Sequence, residues 1–175
     1  MLRALRSLAG VLITLAVTAP ALADEATDVQ QIHNLFTTIW AAQDKGDPRP
    51  ALAGFAPDAV FYYAAGQRPE LWGVAGTGTE LTGMIEADTR NSADTWARHP
   101  DWSHGAEVLH VNVKSDHAIV LTQKWQSQPD SVAREDVVTT YQEVAMLAKI
   151  GGAWKITAGI ETIDYAQQVI KWGAK

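Results

Sequence analysis

Four runs of β-forming residues follow one another in the second half of the chain, with no helical segment between them. Short turns join the first two runs, and Gly151-Gly152 is a two-residue hairpin signal between the last two. Consecutive strands joined by tight turns pair in antiparallel fashion, so this half of the chain predicts an antiparallel sheet. The absence of strand–helix–strand alternation in the sequence disfavours a parallel nucleotide-binding sheet. The four runs are 106–113, 117–126, 137–150 and 153–163.

Helical periodicity is concentrated in the first half. Thr27-x-x-Gln30 has the form of a capping box, and apolar residues then recur at helical spacing as far as Trp40. This helix is predicted to end at Lys45-Gly46, with Gly46 as its cap, and Asp47-Pro48 starts a short second helix. The face predicted to pack on the sheet consists of Ile32, Leu35, Phe36 and Ile39.

The remaining segments complete the predicted element order. Residues 59–64 are rich in aromatic and β-branched side chains and predict a strand. Five glycines or prolines in 65–78 predict a loop or an irregular edge strand. A third helix follows and is predicted to reach about Arg90, while 165–172 is interpreted as a short helix. Helices followed by a block of strands indicate an α+β fold.

The first 23 residues have the organisation of a secretory signal peptide. Arg3 and Arg6 precede an apolar stretch, 8–18, that is too short to span a bilayer. Ala21-Leu22-Ala23 then matches the small-x-small pattern of a cleavage site. An uncleaved anchor helix is the alternative. The sequence therefore predicts one mature domain, 24–175, in the periplasm or outside the cell.

Composition excludes several classes of function. The 175 residues carry a formal net charge of -6 without a basic run, which disfavours nucleic acid or an anionic membrane as a partner. A chain without cysteine forms no disulfide, thiolate metal site or cysteine nucleophile. The glycine-rich segment 73–78 lacks the spacing of a phosphate loop, and no motif indicates an organic cofactor.

Three stretches together resemble the nuclear transport factor 2-like superfamily, which includes SnoaL-like and ketosteroid isomerase-like proteins. They are the helix–helix–strand segment 32–63, the hairpin 110–125 and the turn segment 151–156. The resemblance implies a strongly bent antiparallel sheet that forms a cone around N-terminal helices, with an internal apolar pocket. It also implies a homodimer. Because the superfamily includes enzymes, binding proteins and scaffolds, it implies no particular reaction.

Three residues are candidates for acid–base chemistry in that pocket. His110 lies in an apolar strand, and an imidazole titrates near neutral pH. Glu161 lies among isoleucines, where a desolvated carboxylate could abstract a proton beside a carbonyl. The phenol of Tyr63 could polarise a carbonyl. The alternatives are an interface or hydrogen-bonded histidine, a solvent-facing glutamate and a tyrosine that only lines the wall.

Aromatic residues from several elements are candidates for ligand binding. They suit a small apolar or aromatic molecule, because their flat faces can stack on a ring. Two functions remain open: a cofactor-independent isomerase, cyclase or dehydratase that works by proton transfer, and a non-catalytic binding or scaffold protein. The candidate ligand-binding residues are Trp40, Phe55, Trp72, Trp125 and Tyr141.

One cluster raises the question of a metal site. His99, Asp101 and His104 lie within six positions, and such a loop could bind zinc or copper. Their spacing is not a standard ligand motif, and surface loops commonly carry these residue types. The sequence therefore predicts no metal.

Overall fold

The computed structural model of the chain describes residues 19–64 and 73–173. No helix in this part of the chain is long and apolar enough to cross a membrane. The helices and strands confirm the predicted α+β class. The helices are α1 (Ala19–Lys45), α2 (Pro48–Ala53) and α3 (Gly78–Arg98); the strands are β1 (Phe55–Ala64), β2 (Gly73–Thr77), β3 (Ser103–Lys114), β4 (His117–Asp130), β5 (Glu135–Ile150) and β6 (Ala153–Lys171).

The described strands form one strongly curled, open sheet in the order β2-β1-β6-β5-β4-β3. The strands β3 to β6 pair as consecutive antiparallel neighbours, as the turns between them predict. The pairing of β1 with β6 is parallel, so the sheet is mixed and not wholly antiparallel. This difference arises because β1 joins the sheet beside the last strand, far along the chain, where no hairpin dictates its direction.

Three element boundaries differ from the prediction. The segment 165–172 is not a helix, because β6 continues to Lys171 and pairs with the first half of β5, with Val169 opposite Val137. Helix α3 passes Arg90 because no helix breaker precedes His99-Pro100. Helix α1 has already begun at Ala19, so the Thr27 capping box lies inside it.

The junction between α1 and α2 has the predicted geometry. Gly46 adopts a φ of 68°, a conformation that favours glycine. The backbone N–H groups of Gly46 and Asp47 donate to the carbonyls of Gln43 (3.2 Å) and Ala42 (3.1 Å). The Asp47 carboxylate then accepts a hydrogen bond from the backbone N–H of Arg49 at 3.2 Å, which caps α2.

The core lies between α1 and the sheet. The predicted face of α1 is confirmed, because Ile32, Phe36 and Ile39 are buried and Leu35 packs against them. Burying such side chains stabilises the fold by about 1.5–3 kcal/mol each. The sheet contributes the buried residues Ala118, Val120, Ala145, Leu147, Trp154 and Ile156.

A polar clamp fixes the first half of α1 to the β5–β6 hairpin. The buried Asp28 carboxylate accepts hydrogen bonds from Lys149 Nζ (2.5 Å) and Trp154 Nε1 (3.1 Å). The hydrogen bond from Lys149 is the main reason that the pKa of Asp28 is lowered from its ordinary value of 3.8. The clamp thus satisfies a buried indole donor and a buried carboxylate together.

Candidate functional site

Two adjoining cavities lie between the helices and the sheet. The inner chamber is narrow, with about 60 Å³ available to the centres of water-sized molecules, and its walls are mostly apolar. The outer cavity, here called the vestibule, offers about 430 Å³ by the same measure. The two cavities form one site, because they share the wall residues Trp40, Gln43, Asp88, Lys124 and Glu161.

Aromatic side chains from four elements line the vestibule: Trp40 of α1, Trp96 of α3, Trp125 of β4 and Tyr141 of β5. Trp125 lies across the backbone of Gly105 on the neighbouring strand. A Cβ atom at Gly105 would meet three atoms of the indole at 2.8–2.9 Å, so only glycine permits this close approach. These walls suit a ligand with a flat or ring-shaped part.

A histidine–aspartate pair lies on the vestibule wall. His104 Nε2, at the start of β3, is 2.9 Å from Asp44 Oδ1, near the end of α1. The imidazole also stacks on Trp96, with ring centroids 3.8 Å apart and an interplanar angle of 4°. A carboxylate at Nε2 favours a proton there and leaves Nδ1 as the basic nitrogen. The stacking fixes the plane of the ring, so the imidazole is oriented by two contacts.

Carboxyl groups from adjacent strands meet at the inner chamber. Glu143 of β5 is directly opposite Glu161 of β6, and only 7% of Glu143 is exposed. Burial is the main reason that the pKa of Glu143 is raised, and the charges of Glu161 and Asp88 raise it further. Lys124 opposes this shift, with its Nζ 3.7 Å from Glu143 Oε2. The site therefore holds a carboxyl that retains its proton more readily than an exposed one.

His110 lies outside both cavities and is exposed. Strand alternation predicts that it shares a face with Val108, and this prediction is wrong. A β-bulge between Val108 and His110 shifts the register, so that Val108, Val111 and Val113 pack on the core while His110 faces away. A role for His110 in the pocket therefore loses its geometric basis.

Most of the other predicted residues line the site. Glu161 lies on the wall of both cavities, and Phe55 lies on that of the inner chamber. The predicted ligand-binding residues Trp40, Trp125 and Tyr141 line the vestibule. Trp72 and the side chain of Tyr63 lie outside the described residues; the Tyr63 backbone is opposite Glu161 in the sheet.

The sequence did not single out six residues of the site for binding or acid–base chemistry: Asp44, Asp88, Trp96, His104, Lys124 and Glu143. The sequence indicates His104 only as a possible metal ligand together with His99 and Asp101. The described residues contain no group of three or more His, Asp or Glu side chains placed to hold a metal ion. One signal for Asp44 was available, because it follows Trp40 by four positions and therefore shares its helix face.

Comparison with known proteins identifies the fold. The sequence matches no family model and no curated protein. It is similar in structure to a protein from Novosphingobium aromaticivorans described as nuclear transport factor 2-like with a cystatin-like fold: 14% identity, TM-score 0.60, with 85% of this chain and 91% of that chain covered.

Two further structures give the same result. A hexachlorocyclohexane dehydrochlorinase from Novosphingobium barchaimii is 15% identical, with a TM-score of 0.58 and 85% and 93% of the two chains covered. A nuclear transport factor 2-like protein of unknown function from Silicibacter pomeroyi is 15% identical, with a TM-score of 0.55 and 78% and 96% covered. The helices, the curled mixed sheet and these likenesses together show that the chain has the nuclear transport factor 2-like fold.

Proposed function

We propose that this protein is a cofactor-independent enzyme that removes a proton from a carbon atom of a small molecule, as an isomerase, cyclase or dehydratase does. The observation that carries the proposal is the 2.9 Å contact between His104 Nε2 and Asp44 Oδ1 on the vestibule wall. An imidazole whose one nitrogen is held by a carboxylate is a suitable general base near neutral pH. Asp44 stabilises the imidazolium that forms when His104 takes the proton.

The groups at the inner end of the site supply the second half of such a reaction. When His104 removes the proton, the electron pair of the C–H bond moves toward an electron-withdrawing group or a leaving group on the substrate. The Lys124 ammonium stabilises negative charge that develops there. Glu143, whose burial favours its protonated form, donates a proton to a leaving oxygen. The proton that His104 holds is then released to solvent or to the product, and Glu143 takes up a proton from solvent if it has donated its own, so that both groups return to their starting states.

One structural relative supports the reaction class. The protein from Novosphingobium barchaimii is named a dehydrochlorinase, and dehydrochlorination removes a proton and a chloride from the substrate. Proton removal from carbon is also the step that the His104–Asp44 pair is arranged to perform.

The proposal is tested with a panel of small carbon acids in deuterated buffer. The panel contains cyclic enones and β-hydroxy ketones, each as a neutral compound and with an ammonium substituent, together with hexachlorocyclohexane, and NMR records deuterium incorporation and product formation. The wild-type protein should act on at least one compound, and His104→Gln should slow that reaction by about 100-fold or more. A matched exposed variant, His117→Gln, should retain full activity.

A second candidate is a non-catalytic binding protein. The aromatic vestibule of about 430 Å³ favours it, since such walls bind a ligand without any chemistry. Native mass spectrometry of the purified protein distinguishes the two functions when it is combined with the panel. A retained molecule that the protein leaves unchanged, together with no deuterium incorporation, favours the binding protein.

We also propose that the chain is exported and that its residues 1–23 are removed. The basic residues Arg3 and Arg6, the short apolar stretch and Ala21-Leu22-Ala23 support this. N-terminal sequencing of the exported protein should begin at Asp24. A retained Met1 would contradict the proposal.

A homodimer is proposed from the outer face of the sheet. Exposed apolar residues are neighbours there across four strands: Ile119 opposite Met146, Val144 opposite Ile160, and Ile160 opposite Tyr62. A contiguous apolar patch of this kind is typical of an interface, and a second copy of the chain would cover it. Light scattering at high micromolar concentration should give a dimer mass, and Met146→Glu should give a monomer.

A further inference from the structure

Negative charges outnumber positive ones among the described residues of the vestibule wall. The described lining residues include three acids, Asp44, Asp88 and Glu161, and one lysine, Lys124. Three negative charges and one positive charge leave two in excess while His104 is neutral. The neighbouring Glu143 does not reduce this excess: it adds a further negative charge when ionised and none when protonated.

Within the described part of the chain, two of the three acids receive hydrogen bonds from uncharged or weakly basic side chains. Asp88 Oδ2 accepts a hydrogen bond from the neutral amide of Gln43 at 2.8 Å, and Asp44 is held by His104. Glu161 faces Glu143 across the strands. Lys124, the one described lysine on the wall, lies 3.7 Å from Glu143. The site is therefore built with carboxylates that a positively charged group can approach.

The same space is walled by aromatic faces. Trp40, Trp96, Trp125 and Tyr141 all line the vestibule, and Trp96 is already covered on one side by the imidazole of His104. Aromatic faces carry partial negative charge, so they attract an ammonium group as well as stacking on a flat ring. Carboxylates and aromatic faces around one cavity thus favour the same kind of ligand: one with a positive charge next to an apolar part.

We infer that the vestibule binds a small organic cation, a substituted amine or quaternary ammonium compound with an apolar or aromatic portion, in preference to neutral or anionic molecules of the same shape. This inference deepens the proposed function, because it assigns a substrate class to the same site. It does not depend on catalysis, because the charge and the aromatic walls act on binding alone.

The test uses three probes of similar size: phenyltrimethylammonium, tert-butylbenzene and benzenesulfonate. Binding is measured by quenching of tryptophan fluorescence and by calorimetry at low ionic strength. Phenyltrimethylammonium should bind at least tenfold more tightly than the other two probes. Added salt should weaken its binding, because salt screens the attraction between opposite charges. Equal affinity for phenyltrimethylammonium and tert-butylbenzene would overturn the inference.

Single-residue variants test whether the cation binds in the vestibule. Asp88→Asn keeps an oxygen acceptor for Gln43 but removes a charge, and it should weaken phenyltrimethylammonium binding by about tenfold while leaving tert-butylbenzene binding unchanged. Trp125→Leu should weaken binding of the cation more than Trp125→Phe does, because phenylalanine retains an aromatic face. Asp58→Asn, an exposed acid outside both cavities, is the charge-matched control and should have no effect. If Asp88→Asn and Asp58→Asn weakened phenyltrimethylammonium binding equally, the cation would not be bound in the vestibule, which would overturn the inference.

Failure of this inference and failure of the proposed function give different results. Turnover by the wild-type protein without any preference for the cation would overturn the inference alone. A preference for the cation without turnover would overturn the proposed function alone.

Discussion

Asp44 and His104 are 60 positions apart in the chain, yet 2.9 Å separates the carboxylate Oδ1 of one from the imidazole Nε2 of the other. The contact connects the last turns of α1 to the first residues of β3. It forms beside Trp96, whose indole lies parallel to the imidazole. These two contacts hold the imidazole in one orientation on the wall of an aromatic cavity.

Asp44→Asn should reduce turnover more than it reduces substrate binding. The amide can still contact His104, but it does not stabilise the imidazolium, and it no longer favours the tautomer with the proton on Nε2. We expect kcat to fall about 10- to 1000-fold with a small change in KM, because general base catalysis contributes about 10²–10⁴-fold. Steady-state kinetics measure both constants. A loss confined to KM would contradict the positioning role of Asp44.

Glu143→Gln should change the way stability depends on pH. The raised pKa means that the native state favours the protonated carboxyl, so this stability is fully present below pH 4.5 and is lost as pH rises through the native pKa. Glutamine resembles the protonated form at every pH. The variant should therefore gain stability relative to wild type as pH increases above 4.5. Urea titrations at several pH values above 4.5 measure the free energies of unfolding of both proteins, and Glu107→Gln, at an exposed position, is the control.

Asp28→Ala should destabilise the fold by about 1–3 kcal/mol near neutral pH, because it leaves the buried Trp154 indole without its acceptor. The pKa of Asp28 is lowered, so its contribution is present above 3.8 and is lost as pH falls through the native pKa. The difference between variant and wild type should therefore shrink in acid. A difference that is constant from neutral pH into acid would exclude an ionised Asp28 as its source.

Gly105→Ala should displace Trp125 from the backbone of β3. Gly105 has no positive φ, so the cost arises from contact between the new methyl group and the indole. Overpacking of this kind costs about 1–3 kcal/mol. The same substitution should cost less in a Trp125→Leu background, and a double-mutant cycle measures the difference. Equal cost in both backgrounds would show that Trp125 does not lie on Gly105.

Periodicity and turn signals predicted the part of the fold that depends on local patterns. The Gly46 cap, the buried face of α1 and the β5–β6 hairpin follow from residue types at fixed spacing. The tail of β6 was misassigned because its conformation is decided by its partner, the first half of β5. The parallel pairing of β1 with β6 also depends on tertiary contacts that no local pattern encodes.

The site was only partly predictable for the same reason. Large aromatic side chains on the apolar faces of helices and strands point toward the interior of a fold. Trp40, Trp125 and Tyr141 could therefore be predicted to line the cavity. Strand alternation placed His110 on the wrong face, because one bulge residue reverses the alternation and leaves no clear trace in the sequence. The pairing of His104 with Asp44 required the curled sheet to bring the start of β3 to the end of α1.

The most direct test of the central claim is the rate of deuterium incorporation from solvent into a carbon acid that the wild-type protein accepts, compared with the rate for His104→Gln. Folding of the variant is established by an unchanged thermal midpoint and circular dichroism spectrum. Proton abstraction by His104 predicts that the variant incorporates deuterium about 100-fold or more slowly than wild type. Incorporation at the wild-type rate in the folded variant would contradict it.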